Sequence, residues 1–179
     1  MNKIRISTLT LLFIVLGIKS FAQSGNISDI YCVVISDLYP NNQINYVLVD
    51  TIIDAQAKYS YLKNYIKDLD STTISNFNNN KEEINLQSLD CPRIKSKITN
   101  MEFKELDLRD NSTKKELIAK YGFMYRLIMV SNIGLNNLRD QACIKIRAYG
   151  YDGFEEYLIK TDFEDGEWKI TRKIDLVVY

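Results

Sequence analysis

Apolar and polar residues alternate along the last third of the chain. Residues 142–149 and 168–176 place most of their apolar side chains at every second position, the pattern of a β-strand with one buried face. Asp165-Gly166 is a strong signal for a two-residue hairpin turn. Together with segments 123–131 and 157–161, these patterns predict a four-stranded antiparallel meander with one buried face. The spacing also predicts that one face carries Trp168, Ile170 and Ile174.

The first half of the chain carries helical patterns instead. Ser28-Asp29 can cap a helix ending before Pro40, Asp70 or Ser71 can cap a short helix, and Thr113–Glu116 has capping-box spacing. The predicted helices cover 28–38, 61–69, 71–77 and 113–121, and the predicted strands in this half cover 46–53 and part of 94–108, where Ile98 and Phe103 are the core candidates. The sequence therefore predicts an α+β fold, with N-terminal helices packed on a C-terminal antiparallel β-meander.

The first 23 residues have the three parts of a secretory signal peptide. A basic start precedes an apolar run over residues 6–18, and Ser20-Phe21-Ala22 supplies small residues for cleavage after Ala22 or Gln23. The run is shorter than the roughly 20 residues that a membrane span requires. We therefore expect a signal peptide at 1–23, a single exported α+β domain at 24–179, no membrane span after cleavage, and a secreted or periplasmic location.

Composition excludes several classes of chemistry. The chain has no histidine, which excludes Ser-His-Asp catalysis, histidine general bases and His-ligated zinc. Lys3, Arg5 and Lys19 leave with the signal peptide, so the mature chain has 20 basic and 23 acidic residues. The short basic cluster Arg93, Lys95 and Lys97 is typical of a solvated strand face, and we expect no nucleic-acid partner.

The three cysteines, Cys32, Cys91 and Cys143, are too scattered for a zinc ribbon or a CxxC motif. An exported compartment permits one disulfide, and the sequence leaves open which two cysteines form it. Buried, reduced cysteines are the alternative.

Four groups of residues are candidate sites. The acidic stretch 162–167 lacks the EF-hand glycine and glutamate spacing and fits a charged hairpin tip. Segment 131–137 could line a pocket, but a turn explains its glycine and asparagines. The remaining groups are the carboxylates Asp50, Asp54 and Asp107, more typical of the surface than of an acid–base pair, and the aromatic residues Tyr149, Tyr151, Phe154 and Tyr157, more typical of packing. We therefore assign no catalytic, cofactor-binding or metal-binding residue and expect no cofactor.

The last third resembles a group of short exported bacterial proteins of unknown function. The resemblance covers roughly residues 121–179 and is carried by segments 127–136, 156–160 and 166–170, with departures at 132–133 and 177–178. The same ending is similar to domains of the nuclear-transport-factor-2-like cone, in which N-terminal helices cover a curved sheet and leave a pocket. The resemblance implies no activity or site residue.

The sequence as a whole favours a non-enzymatic binding or structural-interaction module of the periplasm or cell surface. Its partner would be an unknown protein or small-molecule ligand. The alternative is a pocket-bearing enzyme of the cone type that uses aspartate and tyrosine for acid–base chemistry.

Overall fold

The structure is a computed structural model that describes residues 26–53, 66, 68–79, 84–98, 110–150 and 153–178. The expected signal peptide and most of the expected helix at 61–69 lie outside these residues. The described helices and strands, in chain order, are α1 (Ile27–Leu38), β1 (Asn45–Ile53), α2 (Ser71–Asn78), β2 (Ile94–Ile98), α3 (Asn111–Tyr121), β3 (Tyr125–Ser131), β4 (Gly134–Leu135), β5 (Gln141–Gly150), β6 (Gly153–Glu164) and β7 (Glu167–Val178). A 3₁₀ turn covers Leu86–Ser88.

The described strands form one mixed sheet in the order β2-β1-β3-β5-β6-β7, with the short β4 beside β5. The antiparallel meander β5-β6-β7 confirms the prediction for the last third, and β3 also pairs antiparallel with β5. β1, however, lies parallel to both β2 and β3. Parallel neighbours require long connections, and a strand's own alternation does not reveal the direction of its partner. The α+β class is therefore confirmed, with a mixed sheet in place of a purely antiparallel one.

Helices cover both faces of this sheet. α1 packs on one face, where Ile35 shares a core with Leu48 and Ile144. The opposite face is covered at one end by α3, through Leu117, and near β5 and β6 by α2, through Phe77. The prediction that the meander has one buried face is therefore wrong: Cys143 and Leu158 point away from the α1 face, and both are fully buried.

A β-bulge in β7 corrects a second prediction. Thr161 pairs with Ile170 and Lys160 with Arg172, so Thr171 is an extra residue that shifts the register. Because side chains alternate with a period of two, the bulge exchanges the faces of all residues that follow it, up to the next shift. Trp168 and Ile170 therefore join the α1-side core, whereas Ile174 packs on the opposite face.

Aspartate and asparagine side chains cap the three α-helices that the structure describes. Asn26 caps α1, Asp70 caps α2 and Asp110 caps α3, each by accepting from a backbone N–H in the first turn. Of the two predicted alternatives for α2, Asp70 is the cap and Ser71 is the first residue of the helix. The predicted caps at Ser28-Asp29 and Thr113 lie inside their helices, because an earlier side chain already holds the free N–H groups.

Gly166 and Gly134 are each required by the fold, for different physical reasons. Asp165 and Gly166 have φ angles of 55° and 89°, so the predicted hairpin turn is confirmed with both central residues left-handed. Gly134 instead lies where α2 crosses β4: a Cβ placed there would come within 2.4 Å of the Phe77 Cβ and of the Thr73 carbonyl oxygen. Close helix–strand packing, and not turn geometry, therefore accounts for Gly134.

Candidate functional site

A cavity of about 350 Å³ opens at the amino ends of the parallel strands β1 and β2. Its lining comes from two chain segments that lie far apart in the sequence, and we call it the β1–β2 pocket. The lining residues are Asn41, Asn42, Ile44, Tyr46, Pro92, Arg93 and Lys95. The size is at the lower end of the roughly 300–1,000 Å³ typical of small-molecule sites.

The first wall is the turn that joins α1 to β1. α1 ends at Leu38 because Pro40 disfavours helical backbone in the residue before it. The Asn41 Oδ1 accepts from the backbone N–H of Gln43 at 2.9 Å, and the Asn41 carbonyl accepts from Ile44 N–H at 3.4 Å. Asparagine side chains stabilise such turns by this kind of bond to the backbone. The turn predicted here is confirmed, and it holds both asparagines at the mouth of the pocket.

The second wall is a tight turn between Cys91 and Ile94. The Ile94 N–H donates to the Cys91 carbonyl at 2.9 Å, which places Pro92 and Arg93 at the tip. Cys91 forms a disulfide with Cys32 of α1, which resolves the pairing that the sequence left open. Cys143 is the free cysteine; it is fully buried, and burial raises the pKa of its thiol. The disulfide thus ties the second wall to the helix that leads into the first.

Two cations line the pocket, and both donate to neutral oxygens. The Arg93 guanidinium donates to the Asn42 Oδ1, and the Lys95 ammonium donates to the Asn42 carbonyl at 3.2 Å and to the Asn45 Oδ1 at 3.3 Å. Lys97 is directed elsewhere, to the Gln87 carbonyl at 2.7 Å. No ion pair joins either pocket cation to a carboxylate of the described residues. Lys95 and Lys97 lie exposed on β2, as the sequence predicted, but their different partners were not foreseeable.

Two buried tyrosines and a partly buried ion pair lie beside the pocket. Tyr46 packs against Tyr39 with ring centroids 5.4 Å apart, and the Arg126 guanidinium lies 5.5 Å from the Tyr39 ring centre. Arg126 also pairs with Glu155 at 3.1 Å. Burial raises the pKa of Tyr39, and the nearby Glu155 reinforces the shift. Burial and Glu155 together raise the pKa of Tyr157 to about 12, so these phenols stay protonated at neutral pH.

The acidic stretch 162–167 is a hairpin tip with an anchored start. Asp162 accepts from Lys160 at 2.6 Å, from Thr171 at 2.5 Å and from Gln141 at 3.1 Å. Asp165, at the exposed turn, pairs with Lys169 at 3.3 Å. No group of three potential metal ligands occurs among the residues that the structure describes. The geometry therefore fits the charged tip and not a calcium loop.

Segment 131–137 lies mostly in the core. Residues 131–135 are buried, and the turn begins only at Asn136, whose Oδ1 accepts from the backbone N–H groups of Asp140 and Gln141 at 3.1 and 3.2 Å. The prediction that a turn accounts for this segment is therefore confirmed for Asn136 and wrong for residues 131–135, which belong to the core. Ser131 there accepts from the Lys145 N–H at 2.9 Å and donates to the Asn132 carbonyl at 2.7 Å.

The aromatic group at the β5–β6 turn is divided between the two faces of the sheet. Tyr149 and Phe154 pair with centroids 6.4 Å apart, whereas Tyr157 belongs to the α1-side core. Packing therefore accounts for these three. Tyr151, Asp54, Asp107 and the side chain of Asp50 lie outside the part that the structure describes.

Comparison of the chain with protein-family models, with curated proteins and with solved structures gives no match. Among the described helices, none is long and apolar enough to cross a membrane. The β1–β2 pocket therefore has to be interpreted from its own chemistry.

Proposed function

We propose that this protein is an exported, non-enzymatic binding module and that the β1–β2 pocket is its ligand site. The observation that carries the proposal is the pocket itself: a cavity of about 350 Å³ combines two cations and two side-chain amides with the apolar surfaces of Ile44, Tyr46 and Pro92. A few convergent polar groups on an apolar lining are typical of ligand sites.

Two independent features support export. The first is the signal-peptide pattern of residues 1–23. The second is the Cys32–Cys91 disulfide, a bond that persists mainly in oxidising compartments. Expression of the full chain in a secreting bacterial host should release a mature protein that begins at Gln23 or Ser24, as measured by intact mass. Recovery of the full-length chain in the membrane fraction would contradict cleavage.

The charged groups favour binding over acid–base catalysis. Among the described residues, no carboxylate is buried, and the half-buried Glu155 carboxylate is held by Arg126. Tyr39 and Tyr157 have raised pKa values, whereas a catalytic base needs a pKa near the working pH. These features give no support to the alternative of an aspartate–tyrosine enzyme.

A pocket-filling variant tests the binding function. In a thermal-shift screen of small polar metabolites against the mature protein, we expect hits that Asn41→Trp abolishes, because the indole would occupy the mouth of the pocket. Asn79→Trp is the matched control, since Asn79 is also an exposed asparagine but follows α2 outside the pocket. Hits that persist in Asn41→Trp, or a screen without hits, would refute the pocket as the ligand site.

A further inference from the structure

We infer that the β1–β2 pocket selects ligands that carry an anionic oxygen group, a carboxylate or a phosphate ester, on a small organic skeleton. This inference rests on the proposed binding function and names its ligand class. The experiment distinguishes a pocket that binds ligands without preferring anions from a pocket that binds no ligand.

The described lining of the pocket is positively charged. Arg93 and Lys95 bring two positive charges to one small cavity, and none of the lining residues that the structure describes is acidic. Elsewhere in this chain, by contrast, the Lys169 ammonium pairs with the Asp165 carboxylate at 3.3 Å. Here the acceptors are the neutral oxygens of Asn42 and Asn45, which orient the cations but leave their charge uncompensated. An anionic ligand would supply that compensation.

The pocket offers more hydrogen-bond donors than acceptors. The side-chain oxygens of Asn41 and Asn42 each accept one internal hydrogen bond, from the Gln43 N–H and from Arg93. Each amide oxygen keeps one lone pair, whereas each NH₂ group carries two donor hydrogens. Together with the Arg93 guanidinium and the Lys95 ammonium, four side chains therefore direct N–H donors at a ligand, against two amide oxygens that are each already engaged once. Such a lining matches an anion better than a neutral polyol, which must also donate.

The apolar part of the lining consists of Ile44, Tyr46 and Pro92. Ile44 and Tyr46 are nearly buried, whereas Pro92 is exposed at the tip of the second wall. Inorganic phosphate alone would leave the Pro92 ring uncovered, so an anionic group attached to a carbon skeleton fits better. The planar Arg93 guanidinium can hold such a group with two parallel N–H bonds, whereas Lys95 acts as a point charge.

Three probes with one skeleton separate the outcomes: glucuronate carries a carboxylate, glucose 1-phosphate a phosphate, and glucose no charge. In amide NMR titrations of the mature protein, we expect at least one acid to shift signals of residues 41–46 and 92–95, and glucose to shift none. Arg93→Gln and Lys95→Gln should each weaken acid binding by about tenfold. Raising the salt from about 20 to about 200 mM should also weaken it.

Lys97→Gln is the matched control, since it removes the same charge from the same strand outside the pocket. We expect its affinity for the acids to equal that of the wild type. If glucose binds as tightly as the acids, or if Lys97→Gln weakens binding as much as Lys95→Gln, the anion preference is refuted while the binding function stands. If none of the three probes shifts pocket signals, the inference is refuted and the screen with Asn41→Trp decides separately on the binding function.

Discussion

Removing the Cys32–Cys91 disulfide tests how much of the fold depends on the covalent link between α1 and the second pocket wall. The two cysteines are separated by 59 residues. In the chain-entropy model, a cross-link that closes a loop of this length destabilises the unfolded chain by about 4 kcal/mol at 25 °C. Typical domains have roughly 5–15 kcal/mol of total stability, so the loss would be a large fraction of it.

The perturbation is the double variant Cys32→Ala/Cys91→Ala, because alanine leaves no hydroxyl group in the buried position of Cys91. Urea unfolding of the oxidised wild type and the variant gives the two free energies of unfolding. We expect the variant to be less stable by about 4 kcal/mol, and we expect reductant to destabilise the wild type but not the variant. A thiol assay on the denatured wild type should detect only Cys143.

Two results would refute this reasoning. One is a double variant within about 0.5 kcal/mol of the wild type, the range of a neutral surface substitution. The other is three titratable thiols in the denatured, exported protein, which would mean that the link does not form.

Three further predictions concern the sheet. Trp168→Ala should cost about 3–5 kcal/mol in urea melts because the indole is 4% exposed, whereas the exposed neighbour Glu167→Ala should stay within about 0.5 kcal/mol. Gly134→Ala should cost about 1–3 kcal/mol in the same assay, since its Cβ would overlap Phe77, and unchanged stability would disprove the close approach. Burial tends to raise the pKa of Asp162, but its hydrogen bonds outweigh burial and lower the pKa below 3.8. The ionised Asp162 carboxylate therefore stabilises the fold above pH about 4, and this stabilisation is lost as the pH falls through the lowered pKa. Urea melts at pH about 5 and about 2.5 should show a smaller loss of stability on acidification for Asp162→Asn than for the wild type.

Elements set by local chemistry were predictable from the sequence. The Asp70 cap with Ile74 and Phe77, the Asp165-Gly166 turn and the helix that stops before Pro40 each depend on a few adjacent residues, and each is confirmed. The face of Ile174 was not predictable, because the bulge at Thr171 depends on how β7 pairs with β6 and not on β7 alone.

The pocket was missed for a similar reason. The Asn41-Asn42 turn and the exposed strand positions of Lys95 and Lys97 follow from local sequence, whereas the prediction that Arg93 shares that strand is wrong, because Arg93 lies in the turn before β2. The meeting of the two segments requires β1 and β2 to lie side by side in parallel and Cys91 to pair with Cys32, and neither long-range contact has a local signal. The sign of the pocket's charge was visible in the sequence, but its concave shape was not.

The parallel pairing of β1 with its two neighbours has a consequence for the order of folding. β5, β6 and β7 pair with strands next to them in the chain, so their pairing closes only short turns. β1 must close much longer loops to pair with β2 and β3. We therefore expect the meander to be ordered in the folding transition state and the β1–β2 edge to join late. Mutations on the two sides would reveal this, slowing folding in the meander and mainly speeding unfolding at β1–β2. The ligand site would then be the last part of the domain to assemble, and a bound ligand would chiefly lower the rate of unfolding and leave the rate of folding almost unchanged.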